Sequence, residues 1–259
     1  MHRIVTLTTD FGTGSGYVAE LKASLLHARE PFTLVDIAHD LPAHDVRAAA
    51  WLVGQACPAF PPGTLHLCVV DPGVGTSRRL VWADIGGRQF LAPDNGLLSW
   101  ALSRAPLDAA RAIAVPAGAA ATFHGRDVLA PAAVRLLNGA PPETLGPLVA
   151  DLARLAWPEP HETAAGLAGE VLHVDAFGNL VTNLPAQLWP RVVAAGRLRV
   201  GDRDVPALVR TYGDAPAGTP VALVGSQGFI EAAIVAGRAD TQLSARLGSR
   251  VLIMDRGPG

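Results

Sequence analysis

Short apolar runs rich in β-branched residues alternate with longer Ala/Leu-rich segments through the first 140 residues, and no other feature limits the fold as much. IVTLTT (4–9), FTLVDI (32–37) and LHLCVV (65–70) have the length and composition of buried strands. YVAELKASLLHA (17–28), DVRAAAWLVGQA (45–56) and DVLAPAAVRLLNG (127–139) read as helices. Strand and helix in alternation bury both sets of apolar faces as a mostly parallel sheet with helices packed on it. VWADIG (81–86) and RQFLAP (88–93), split by a Gly-bearing turn, read as a hairpin appended to that sheet.

The pattern changes after residue 140. APPETLGPLV and AWPEPHETAAGLAG carry Pro, Gly and Glu without a strong period, as a connector does. Strand candidates then follow at close spacing: GEVLHVD (169–175), NLVTNL (179–184), RLRV (197–200), TPVALVG (219–225), FIEAAIV (229–235) and RVLIM (250–254). The expected fold class is α/β, with an α/β domain over 1–150, a linker over 151–167 and a small β-rich, barrel-like domain over 168–259.

Composition narrows the partners. Apolar residues make up 49% of the 259-residue chain and charged residues 17%, which excludes a disordered chain. A formal net charge of -2 without any Lys/Arg run beyond two gives no footprint for nucleic acid or an anionic membrane. Cys57 and Cys68 lie inside apolar runs at a spacing that suits neither a zinc site nor a redox motif, so they read as buried free thiols. No apolar stretch reaches the ~18 residues of a membrane span and no signal peptide is evident, so a cytoplasmic location is expected.

The run LHLCVV stops at Asp71, two glycines follow, and Arg78 and Arg79 lie in the same loop. An acid at the carboxyl end of a buried strand, beside a permissive turn, stands where open α/β sheets hold their ligands. Asp10 repeats the arrangement in LTTDFGTGSGYV, where it either accepts two hydrogen bonds from a ribose diol or caps the following turn. His39-Asp40 and His44-Asp45 pair imidazole with carboxylate as metal sites do, yet Pro42 interrupts them and Asp45 also fits a helix N-cap. His124 stands at a helix entry in ATFHGRDVLAPAA, where free N–H groups and the helix dipole attract anions and depress a His pKa. Asp71, Arg78 and His124 together suit the holding and polarising of a water, and equally suit a loop ion pair beside a first-turn residue. In VDAFGNLVTNL, Phe177 can stack on a planar ring and Asn179 can pair with a base edge; in LVGSQGFIEAAIVAG, Ser226 can donate with backbone N–H groups to a carboxylate. An Asn turn and a Gly-rich hairpin explain each of these alone.

Taken in order, TTDFG, VDPGVGTSRR, APDNGLLS, FHGRDVLAPAA, DAFGNLVTN and GSQGFIEAAIV resemble the S-adenosyl-L-methionine hydrolases, also called hydroxide adenosyltransferases, over nearly the whole chain. The resemblance implies an N-terminal α/β domain and a small C-terminal β-barrel, assembled as a homotrimer with the site at the subunit interface. It implies a small-molecule substrate, S-adenosylmethionine, cleaved by water to adenosine and methionine without metal or organic cofactor. By match to the family's motifs, Asp71, Arg78 and His124 activate water, and Asp10 holds the ribose hydroxyls. Phe177, Asn179 and the backbone near Ala236 hold adenine, while Asp175 faces the ammonium and Ser226 the carboxylate of the methionine part. Halide-transferring relatives carry an aromatic residue and a threonine where this chain has Asp71 and Val74, and a carboxylate there repels halide. Two departures touch the pocket: Ser15 replaces an acid that many relatives aim at the amino group, and His44 replaces an aromatic near the ribose. A halide-dependent adenosyltransferase, a non-catalytic adenosyl-ligand binding protein and, more weakly, a metal-dependent hydrolase on the His-Asp pairs are the competing readings.

Overall fold

The computed structural model describes residues 3–254, so residues 1–2 and 255–259 of the expected domains lie outside the described residues. The chain divides between Leu155 and Ala156 into two compact units. The first holds six strands: β1 (Arg3–Thr9), β2 (Phe32–Ala38), β3 (Leu65–Val69), β4 (Leu80–Ile85), β5 (Arg88–Pro93) and β6 (Leu107–Ile113), in the sheet order β2-β1-β3-β5-β4-β6. β2, β1, β3 and β5 run parallel, and β4 is antiparallel to both β5 and β6. Helices α1 (Gly16–Leu25), α2 (Val46–Ala56), α3 (Ser99–Arg104) and α4 (Ala130–Leu137) complete the unit.

The period of two along the strands explains why helices are needed on both faces. Val5, Leu7, Leu65 and Leu67 share one core with Leu21 and Leu25 of α1 and with Leu136 and Leu137 of α4. Cys68, Val70, Val81 and Ala83 share another with Ala49 and Val53 of α2 and Leu102 of α3. Cys57 and Cys68 are free and buried there, and burial pushes the Cys68 thiol up to about 12. Within α2, Gly54 admits the Trp100 ring of α3, which lies 2.2 Å from where a Cβ would stand. β6 and α3 carry no clear signature in the sequence. LDAARAI is Ala-rich with an Asp and an Arg, and becomes a strand because β4 pairs with it along its length.

The second unit is built on β7 (His161–Thr163), β8 (Gly166–Val174), β9 (Leu180–Pro185), β10 (Leu198–Val200), β11 (Arg203–Val205), β12 (Ala207–Leu208), β13 (Pro220–Val224), β14 (Phe229–Ile234) and β15 (Arg250–Met254). They form a nearly closed, barrel-like sheet in the order β11-β10-β15-β8-β9-β14-β13-β12, with β7 paired to β8. α5 (Trp189–Ala195) and α6 (Ala239–Gln242) flank it around a core that includes Val171, Leu184, Ile230 and Val251. β7 and the first residues of β8 occupy part of the segment expected as a linker over 151–167.

Candidate active site

Asp71 follows the end of β3 and opens the loop that leads to β4. Val74 N–H donates to the Asp71 carbonyl and Thr76 N–H to that of Gly73, so two successive turns fold the loop back and return Arg78 to Asp71. Gly75 is required on two counts: its φ of 79° is left-handed, and a Cβ would stand 2.7 Å from the Ala121 carbonyl oxygen. That close approach seats the 116–124 segment, and with it His124, against the Asp71 loop. Gly125 works similarly, since its missing Cβ leaves room for Val69 at 3.0 Å. After His124 the chain makes a π-helical turn over Gly125–Leu129, with Ala130 N–H bonded to the Gly125 carbonyl, before α4 begins.

The three residues expected to handle water meet. Arg78 Nε donates to Asp71 Oδ1 at 2.8 Å and Oδ2 at 2.9 Å, and Arg78 Nη2 donates to Asp71 Oδ2 and, at 2.8 Å, to His124 Nδ1. The Arg78 and Asp71 side chains are only 9% and 7% exposed, so this pair is shielded from solvent screening. Arginine has no acceptor, so His124 Nδ1 must be unprotonated, and the neutral ring carries its proton on Nε2. Burial, and then the Arg78 charge, hold the His124 pKa below its usual value, against the pull of Asp71 and Asp127. Arg78 Nη1 is buried and finds no partner among the described residues.

Asp71 and His124 line a cavity of about 270 Å³ together with Asp10, His44, Val74 and Phe123, whereas Arg78 braces both from outside the lining. Asp10 does not cap the turn that follows it; its Oδ2 accepts the His44 N–H at 2.8 Å. Gly12 N–H donates to the His39 carbonyl at 2.6 Å, so the loops after β1 and β2 are laced together, with His44 held at a φ of 67°. Ser15 caps α1 by accepting the Tyr17 N–H. Within the His-Asp pairs, His39 and Asp45 serve separate structural ends. His39 Nδ1 bonds Thr9 Oγ1 and its Nε2 lies 3.1 Å from Asp36, while Asp45 caps α2 through the Ala48 N–H. Among the described residues no group of three or more His, Cys, Asp or Glu is placed to hold a metal ion.

In the second unit, Asp175, Phe177 and Asn179 form the β8–β9 turn. Asp175 Oδ1 accepts the N–H groups of Phe177 and Asn179, and Asp175 Oδ2 accepts from Asn179 Nδ2 at 3.0 Å. One amide N–H of Asn179 is therefore committed to Asp175, and the Phe177 ring is 75% exposed. Arg238 Nη1 donates to the Ala176 carbonyl and Asp240 N–H to that of Gly178, which brings Ala236 (φ 52°) and the residues after β14 alongside this turn. Ser226 is exposed in the Gly225–Gly228 turn between β13 and β14.

Comparison with known proteins decides the family. The model described as "SAM hydroxide adenosyltransferase N-terminal domain" matches residues 5–146, and the corresponding C-terminal domain matches residues 169–252. This chain belongs to the SAM hydroxide adenosyltransferase family. It is 43% identical to a Thermus thermophilus protein named (R)-S-adenosyl-L-methionine hydrolase, over 97% of this chain and 100% of that one. A fluorinase of an Actinoplanes species is more distant, at 28% identity over 88% and 89% of the two chains. A solved structure of an uncharacterized conserved protein from Thermotoga maritima superposes with a TM-score of 0.87 at 34% identity, covering 96% of this chain and 98% of the other.

One buried acid of the chain escaped the sequence reading. Glu231 is buried in β14, its Oε1 accepts from Tyr212 Oη, and its Oε2 lies 2.4 Å from where a Cβ of Gly225 would be. Burial and the nearby Asp175 charge raise its pKa. The available signal was an acid inside the apolar run FIEAAIV.

Proposed function

We propose that the chain hydrolyses S-adenosylmethionine to adenosine and L-methionine. The observation that carries the reading is the convergence of Asp71, Arg78 and His124 at one cavity that Asp10 also lines, in a chain matched over 96–97% of its length by proteins named (R)-S-adenosyl-L-methionine hydrolase. Water attacks C5′ from the side opposite sulfur; the O–C5′ bond forms as the C5′–S bond breaks, and the electron pair stays on a neutral thioether. Asp71 accepts the water proton. His124, protonated on Nε2, donates to the water oxygen and aims its lone pair, while Arg78 fixes both groups. Asp10 holds the ribose hydroxyls. Asp175, Phe177, Asn179, Ser226 and the Ala236 backbone hold the adenine and methionine ends. The residues supply the whole reaction in this reading, so activity survives EDTA.

The assembly is a homotrimer in which the adenosyl group is shared by neighbouring subunits, and light scattering should return three times the chain mass. Incubation with S-adenosylmethionine should yield adenosine and methionine by chromatography, and added chloride or fluoride should yield no 5′-halo product. Asp71→Asn and His124→Ala should each lower turnover by about a hundredfold or more. Wild-type rates in both would remove the water site.

A further inference from the structure

The loop that carries Asp71 and Arg78 joins β3 to β4, but the sheet order is β3-β5-β4. The connection must therefore pass over the carboxyl end of β5, and the residues leaving β5 lie beneath it. These are Asp94 and Asn95, in a segment, APDNG, to which the reaction above gives no work. Asn95 Nδ2 donates to the Val70 carbonyl at 2.9 Å, one residue before Asp71. Asp94 N–H donates to the Arg79 carbonyl at 2.9 Å, one residue after Arg78, and Asp94 Oδ2 accepts from Arg79 Nε at 2.9 Å. Asp94 is itself anchored, since its Oδ1 accepts the Ala153 N–H at 2.7 Å and its side chain is 5% exposed.

We infer that Asp94 and Asn95 are positioning residues which clamp both ends of the water-activating loop. Two adjacent residues grip the chain immediately before Asp71 and immediately after Arg78, so they fix the span between the carboxylate and the guanidinium that orients it. Neither residue lines the cavity that Asp71 and His124 face. Their influence on the reaction passes through Asp71 and Arg78, and appears in turnover rather than in substrate binding. The inference rests on Asp71 being the group that handles water.

Asn95→Asp isolates the grip. The new side chain keeps the oxygen that accepts the Leu97 N–H, as Asn95 Oδ1 does now, and replaces the donor to Val70 by a charged oxygen that repels its carbonyl. Asn95→Ser, whose hydroxyl is too short to reach Val70, provides a second route if the carboxylate impairs folding, and Asp94→Asn tests the other end. Each should lower kcat about tenfold to a hundredfold with KM within about threefold of wild type. In an Asp71→Asn background the same changes should lower kcat by less than about twofold more, because residues acting as one unit are not additive. Folded variants with wild-type kcat, a loss confined to KM, or a full further loss in the Asp71→Asn background would overturn the clamp while leaving the water site standing. Wild-type turnover in Asp71→Asn alone would instead overturn the water site and the clamp together.

Discussion

The Arg78–His124 contact determines which chemistry His124 can perform. A guanidinium on Nδ1 excludes the imidazolium and leaves Nε2 as a donor, so in the proposed reaction His124 orients water and leaves Asp71 as the proton acceptor. A residue acting by orientation can be replaced by another that has both a donor and an acceptor. His124→Gln should retain at least about tenfold more activity than His124→Ala, since its carboxamide oxygen can take the Arg78 bond while its NH2 group donates. The pH profile follows the same sign. The neutral ring is the active form and its pKa is held below 6.5, so wild-type kcat should stay level through pH 7 and fall as pH drops through that lowered value. The histidine contribution to this acid limb should vanish in His124→Gln. Sequence alone left Asp71, Arg78 and His124 as one set among several explanations, because two of them lie in one loop and the third is 46 positions beyond Arg78. They meet only in the fold, where the approach of Ala121 to Gly75 brings the His124 segment against the Asp71 loop and Arg78 bonds both.

Among the elements, β1, β2, β3 and α2 were legible because each has its own local signal, a β-branched run or the Asp45 cap. β6 and the positions of Asn95 and Glu231 were not, because pairing partners and crossings set them. The pairing of β1 with β3 also carries a hidden pH dependence. Thr6 stands opposite His66 in the register, its Oγ1 bonds His66 Nδ1 at 2.8 Å, and the ring stacks on Phe90. Burial, and then the Arg88 charge, lower the His66 pKa to about 4. The unfolded chain takes up a proton near 6.5 and the folded chain does not, so stability is lost as pH falls from about 6.5 toward 4, by roughly 3 kcal/mol if His66 acts alone. The drop in urea midpoint between pH 7 and pH 4.5 should be smaller in His66→Asn than in wild type, and an unchanged drop would assign the loss to other groups.

At the scale of the molecule, each unit has its own core, and the residues proposed to bind substrate divide between them: Asp10, Asp71 and His124 in the first, Asp175, Phe177, Asn179, Ser226 and Ala236 in the second. The order of motifs along the chain made both sets legible, but chain order does not say which copies of the two units serve one substrate. The proposed sharing of the site between subunits of a trimer has a consequence that a site within one chain lacks. Asp71→Asn damages only the first unit and Asn179→Ala only the second, and each homotrimer should be nearly inactive. Subunits mixed by unfolding and refolding in equal amounts assemble at random, so a site needs an intact first unit from one chain and an intact second unit from its neighbour. Each condition is met half the time, and about a quarter of wild-type turnover should return. A site contained in one chain would restore nothing, because every subunit carries one of the two lesions.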